Sequence, residues 1–133
     1  MTPEKPQEVL TLDRLRTIGV TLLSEWDALV FLYRHPASLG TAAQIARLIG
    51  YDKAEIGAAL NRLETLGLIR RSRDSQGIRL YRFSEPEEPS RRSSLVALMT
   101  VAQNRDGRLL LLNHLKRTSQ AARRAHPSGL RLA

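Results

Sequence analysis

The order of apolar and polar positions divides the chain into helices first and a hairpin afterwards. Residues 1–6 hold two prolines and read as disordered. From Gln7 to Ile18, Val9, Leu12, Leu15 and Ile18 recur at spacings of three, which predicts a short amphipathic helix ended by Gly19. Ser24 opens the next helix, because "SEWD" sets a hydroxyl three residues ahead of an acid, as a capping box requires. Trp26, Leu29, Val30 and Tyr33 form its buried stripe, and His35-Pro36 stops it. "ASLG" is short enough for one extended crossover or an edge strand. Thr41 with Gln44 makes a second box, ahead of a helix whose apolar face is Ile45, Leu48 and Ile49 and whose terminator is Gly50. Asp52 with Glu55 makes a third, and that helix runs to Leu66 with Gly67 as its stop.

Three capped helices in succession, the last two joined by "GYD", read as a helix-turn-helix. The period then changes. "LIRRSRDSQGIRLYRFS" has two β-prone arms around "DSQG", the signature of a hairpin, and Arg70, Arg71, Arg73, Arg79 and Arg82 line it against Asp74 alone. The expected fold is therefore mainly α with a small β-hairpin wing: a winged helix-turn-helix with flanking N- and C-terminal helices. "EPEEPS" is a proline-rich acidic hinge. Beyond it Leu95, Leu98, Met99 and Ala102 repeat helically, and Leu109, Leu112 and Leu115 do so again. "NRDG" between them fits either a hairpin turn or a long helix kinked near Gly107, and Ser93 or Ser94 as a cap, with few β-branched residues, favours helix. From Thr118 the apolar stripe lapses. The segments are 1–22 (tail and short helix), 23–84 (winged domain), 85–90 (hinge), 91–117 (helical, a candidate for dimerisation) and 118–133 (basic flexible tail).

Charge narrows the partner. Lys and Arg number 21 against 13 Asp and Glu, a formal net charge of +8, and all the basic residues except Lys5, Lys53 and Lys116 are arginine. That balance points to a polyanion, nucleic acid first and an anionic membrane surface second. Arginine suits planar contacts to phosphate and guanine. Without cysteine there is no disulfide and no thiol chemistry, and His35, His114 and His126 lie too far apart for metal-ligand spacing, so no metal or cofactor is expected. The apolar run from Ala28 to Tyr33 is too short to cross a bilayer, and the first ten residues lack the apolar core of a signal peptide, which leads to an expectation of a cytoplasmic protein. No Gly-rich phosphate loop or nucleophile elbow occurs, and carboxylates cluster only in "EPEEP", so an enzyme is not expected.

The stretch "LSEWDALVFLYRHPASLGTAAQIARLIGYDKAEIGAALNRLETLGLIRRS" resembles the winged-helix transcriptional regulators of bacteria, nearest to the MarR-like group. The likeness lies in the opening Leu-Ser, the Ile-Ala pair, "YDKAEI" at the start of the second motif helix, and "RLETLGLIRR" leading into the wing. It covers roughly residues 23–84. The wings of that group usually end in an Asp-x-Arg tip; here Gly77 and Ile78 precede Arg79. The resemblance implies a DNA-binding, usually dimeric regulator, often with a small-molecule cleft between the dimerisation helices and the DNA-binding lobe. Trp26, Phe31 and Tyr33 are the residues here that could line such a cleft, yet all three are more economically core residues.

On a helical wheel Ile56, Ala59, Leu60, Leu63 and Gly67 face inward, while Ala54, Ala58, Asn61 and Thr65 face outward, flanked by Glu55, Gly57 and Arg62. In a docked winged helix the first half of that outer face meets base edges. Ala54, Gly57 and Ala58 permit close approach and contact with a thymine methyl, Asn61 suits adenine, and Arg62 suits a phosphate or a guanine edge. Lys53 belongs near a phosphate, where the helix N-terminus adds its field. Glu55 is expected to fold back into the Asp52 box. With Arg70, Arg71, Arg73 and Arg79 on the phosphates, the expected partner is double-stranded DNA, bound by a homodimer joined through the C-terminal helix with help from residues 7–18. The same stripes are also suited to packing on their own domain. The bland outer face leaves a second reading, a winged-helix protein-interaction module without specific DNA readout.

Overall fold

The computed structural model describes residues 6–35, 40–72 and 78–125, and in it six helices surround a two-stranded wing. In chain order these are α1 (Pro6–Ile18), α2 (Leu23–Arg34), α3 (Ala42–Ile49), α4 (Lys53–Thr65), β1 (Ile69–Arg71), β2 (Tyr81–Phe83), α5 (Pro89–Val101) and α6 (Arg105–Ala125). The leading residues 1–5, "PASL" and the hairpin turn lie outside the described residues, as does the end of the basic tail.

One apolar core joins all of it. Leu29 and Leu32 of α2, Ile45 of α3 and Ile56, Leu60 and Leu63 of α4 are closed off from solvent together with Leu68 and Ile69. Leu15 and Ile18 of α1 extend that core against Leu95, Leu98 and Met99 of α5, and Leu111 and Leu115 of α6 complete it. Burial of this many side chains, at about 1.5–3 kcal/mol each, is what offsets the ordering entropy of the chain.

Several local expectations are corrected. Ser24 is not the cap of α2; Leu22 holds that position, Ser24 is buried in the first turn, and Glu25 Oε1 accepts the backbone N–H groups of Thr21 and Leu22 at 3.0 and 3.2 Å. The buried side of α2 is Trp26, Ala28, Leu29 and Leu32, with Val30 and Tyr33 at its margin. Leu48 is 68% exposed, because α3 turns Ile45 and Ala46 inward. Thr41 and Gln44 do form the reciprocal box expected of them. Around "NRDG" the chain makes neither a hairpin nor one kinked helix. α5 ends at Val101, and Asn104 Oδ1 accepts from Asp106 and Gly107 N–H to start α6 as a separate helix. The cap of α5 is Glu88, with Pro89 in the first turn, rather than Ser93 or Ser94. Helix α6 also runs past Thr118 to Ala125, tied to the α1–α2 turn by Ser119 Oγ, which accepts from Leu23 N–H, and by Thr118 Oγ1, which donates to the Thr21 carbonyl. These two bonds replace the apolar stripe whose absence read as fraying.

The wing is antiparallel, with Ile69 opposite Phe83, Arg70 opposite Arg82 and Arg71 opposite Tyr81. Gly40 extends it through a single bridge to Tyr81, whose N–H donates to the Gly40 carbonyl at 2.9 Å, so the end of "ASLG" does act as an edge.

Candidate nucleic-acid interface

Helix α4 is presented by its neighbours. Asp52 caps it by accepting Ala54 N–H at 3.1 Å. The expected box is not completed: Glu55 returns no bond to Asp52, and it lies instead in a shallow groove beside Tyr51, Lys116 and Ser119. At the other end Gly67, at φ 77°, lets Leu68 N–H reach the Leu63 carbonyl and its own N–H reach that of Glu64. This Schellman arrangement sinks Leu63 and Leu68 together and reverses the chain into β1. Gly67 is therefore an exposed stop, not the core-facing residue the wheel implied.

The inner face holds Ile56, Ala59, Leu60 and Leu63, all buried. Lys53, Ala54, Ala58, Asn61 and Thr65 are exposed and Gly57 partly so. Beyond its chain neighbours and the backbone of its own helix, nothing lies within 4 Å of where a Cβ on Gly57 would stand, so the backbone there is open to close approach. Arg62 is exposed too, but its guanidinium is engaged within the protein. Nη2 donates to the Gly19 carbonyl at 3.1 Å, and Nε lies 3.6 Å from Glu25 Oε2, a carboxylate that is itself buried.

The wing arginines divide by position. Arg71 Nε lies 3.6 Å from Glu64 Oε2 and Arg70 Nε donates to Ser84 Oγ at 3.2 Å, which puts both at the base of the hairpin, level with the end of α4. Arg79 stands beyond the paired ladder towards the turn and is exposed. Arg73 lies outside the described residues. Arg82, which the sequence reading placed on the hairpin without assigning it a contact, is exposed directly across from Arg70. Like charges directly opposite on a sheet are destabilising, so this pair gains from an anion between or above it.

A cleft of about 410 Å³ opens between α2 and α6, lined by Trp26, Phe31, Asp27, His35 and Arg108 among others. Trp26, a core residue as expected, and Phe31 both border it; Tyr33 does not, packing edge-on against Phe83 at 5.1 Å. Tyr51 donates to Asp27 Oδ2 at 2.6 Å, one residue before the cap of α4. Burial pushes the Asp27 carboxyl above its ordinary pKa, against the opposing pull of the Tyr51 bond. Among the described residues no group of three His, Cys, Asp or Glu is placed to hold a metal.

The family model of the MarR family matches residues 18–79, the span from the end of α1 to just before β2. This segment is similar to that family. Solved structures agree on the fold. The DNA complex of Staphylococcus aureus MepR matches with a TM-score of 0.56 at 17% identity, covering 87% of this chain and 91% of that one. MepR alone, described as a transcription regulator of the multidrug efflux pump MepA, matches with a TM-score of 0.53 at 17% identity, over 90% of this chain and 87% of its own. The transcriptional regulator SlyA matches with a TM-score of 0.53 at 19% identity, over 91% of this chain and 84% of its own. No curated protein sequence matches significantly. The matched segment holds the helix-turn-helix and the first strand of the wing; β2, α5 and α6 lie beyond it.

Proposed function

We propose that the chain is a DNA-binding transcriptional regulator of the cytoplasm and not an enzyme, acting as a homodimer that lays α4 in the major groove and its wing along the phosphates. The observation that carries this reading is the pairing of an open, small-residue outer face on α4 with the opposed arginines Arg70 and Arg82 on the hairpin. Lys53 takes a phosphate at the positive end of α4, Ala54, Gly57 and Ala58 allow the helix to approach the bases, and Asn61 reads an edge. Arg79, Arg82 and Arg73 serve the phosphates from the wing, with Arg70 and Arg71 adding charge at its base. The cleft between α2 and α6 is the place for a small-molecule effector, since Tyr51 ties its wall to the start of α4. Anisotropy titration of a labelled random duplex at low and moderate salt tests the reading. Binding that weakens with salt is expected. No binding at low salt would leave the protein-interaction module.

A further inference from the structure

One corner of the molecule collects groups that neither the wing nor the outer face of α4 uses. The carbonyls of Thr17, Ile18 and Gly19 close α1, where the helix dipole leaves partial negative charge. Two arginines from different helices reach them. Arg91 of α5 donates from Nε to Thr17 at 3.2 Å and from Nη2 to Ile18 at 2.8 Å, and Arg62 of α4 donates to Gly19 at 3.1 Å. Glu25 of α2 anchors the same Arg62 guanidinium. The backbone is shaped for this convergence: Gly19 sits at φ 90°, and a Cβ on it would come within 2.6 Å of Leu66 Cδ2.

We infer that Arg62 is a positioning residue rather than a DNA ligand: with Glu25 it fixes the angle of the recognition helix to the α1–α5 pair, and so sets sequence discrimination. The inference rests on the regulator reading above. Geometry gives the size of the effect. Lys53 lies nine residues from Arg62, about 13 Å along the helix, so a turn of about 10° at Arg62 moves the reading end by roughly 2 Å. Hydrogen bonds to base edges fail over far smaller displacements, whereas phosphate attraction tolerates them. Loosening this corner should therefore cost selectivity and leave the electrostatic part of binding in place.

The test compares two duplexes, one enriched by the wild-type protein from a random pool and the unselected pool itself. R62Q and E25Q are each expected to lower the preference for the enriched duplex by about tenfold, the scale of one lost base contact. The E25Q/R62Q double variant should lose little beyond R62Q, since R62Q already removes the contact that E25Q removes. The slope of log K against log salt should stay within about 0.5 of wild type, whereas loss of a phosphate ligand would flatten it by about 0.9 per protomer. R62K, which keeps the cation but not the two-sided fork, should lose selectivity as R62Q does, and it serves where R62Q does not fold. A flattened slope with equal weakening on both duplexes, and E25Q behaving as wild type, would make Arg62 a phosphate ligand and overturn the inference. Wild-type protein that binds neither duplex would remove the regulator reading and the inference with it.

Discussion

Thr11 is the one fully buried side-chain hydroxyl without a hydrogen-bond partner among the described residues. A valine of nearly the same shape removes that desolvation cost, so T11V should raise stability by about 1 kcal/mol in denaturant unfolding. Gly107 has the opposite sensitivity. A Cβ there would overlap the Val101 carbonyl and side chain at the α5–α6 elbow, so G107A should cost about 1–3 kcal/mol, read in the same way. Asp27 has a pH signature. Its folded pKa is raised by burial, so the folded state holds the proton more tightly than the unfolded chain does. Stability contributed by the neutral carboxyl is thus present below the ordinary carboxyl value of 3.8 and is lost as pH rises through the raised folded value. D27N should flatten that decline while keeping an acceptor for Tyr51. A steeper loss of stability between acid and neutral pH in D27N than in wild type would contradict the assignment.

At the scale of elements, the sequence was most legible where periodicity and punctuation agreed. α3 and α4 follow from Thr41, Gly50, Asp52 and Gly67, and the core face of α4 from its apolar spacing. The errors have two physical causes: a competing local contact won, or a contact distant in sequence overrode the local signal. Glu25 takes two N–H groups that a Ser24 cap was expected to govern. Leu48 has the right spacing for the core, but α3 is short and is held by Ile45 and Ala46. The length of α6 depends on hydroxyl bonds from Thr118 and Ser119 to residues nearly a hundred positions earlier, which no local pattern announces. In the candidate site, the outer face of α4 was readable because exposure is the complement of burial. The inward commitment of Arg62 was not, since Gly19 is 43 residues away.

At the scale of the whole molecule, the partly exposed apolar side chains Val9 and Leu10 of α1, Val96 of α5 and Leu109 of α6 lie on elements flanking the winged domain. They suit burial against a second copy, and sedimentation should give twice the chain mass at micromolar concentration; a monomer there would contradict the homodimer. Two copies would place two copies of α4 about one helical turn of DNA apart, which calls for a pseudo-palindromic site. On the proposed reading α4 and the arginine wing act as one cationic face for duplex DNA, and the salt dependence of binding decides whether they do. If about six phosphates are neutralised, log K should fall with log salt at a slope near −5. A slope shallower than about −2 on random duplex would show that the arginines do not meet the phosphates, and the claim would fail.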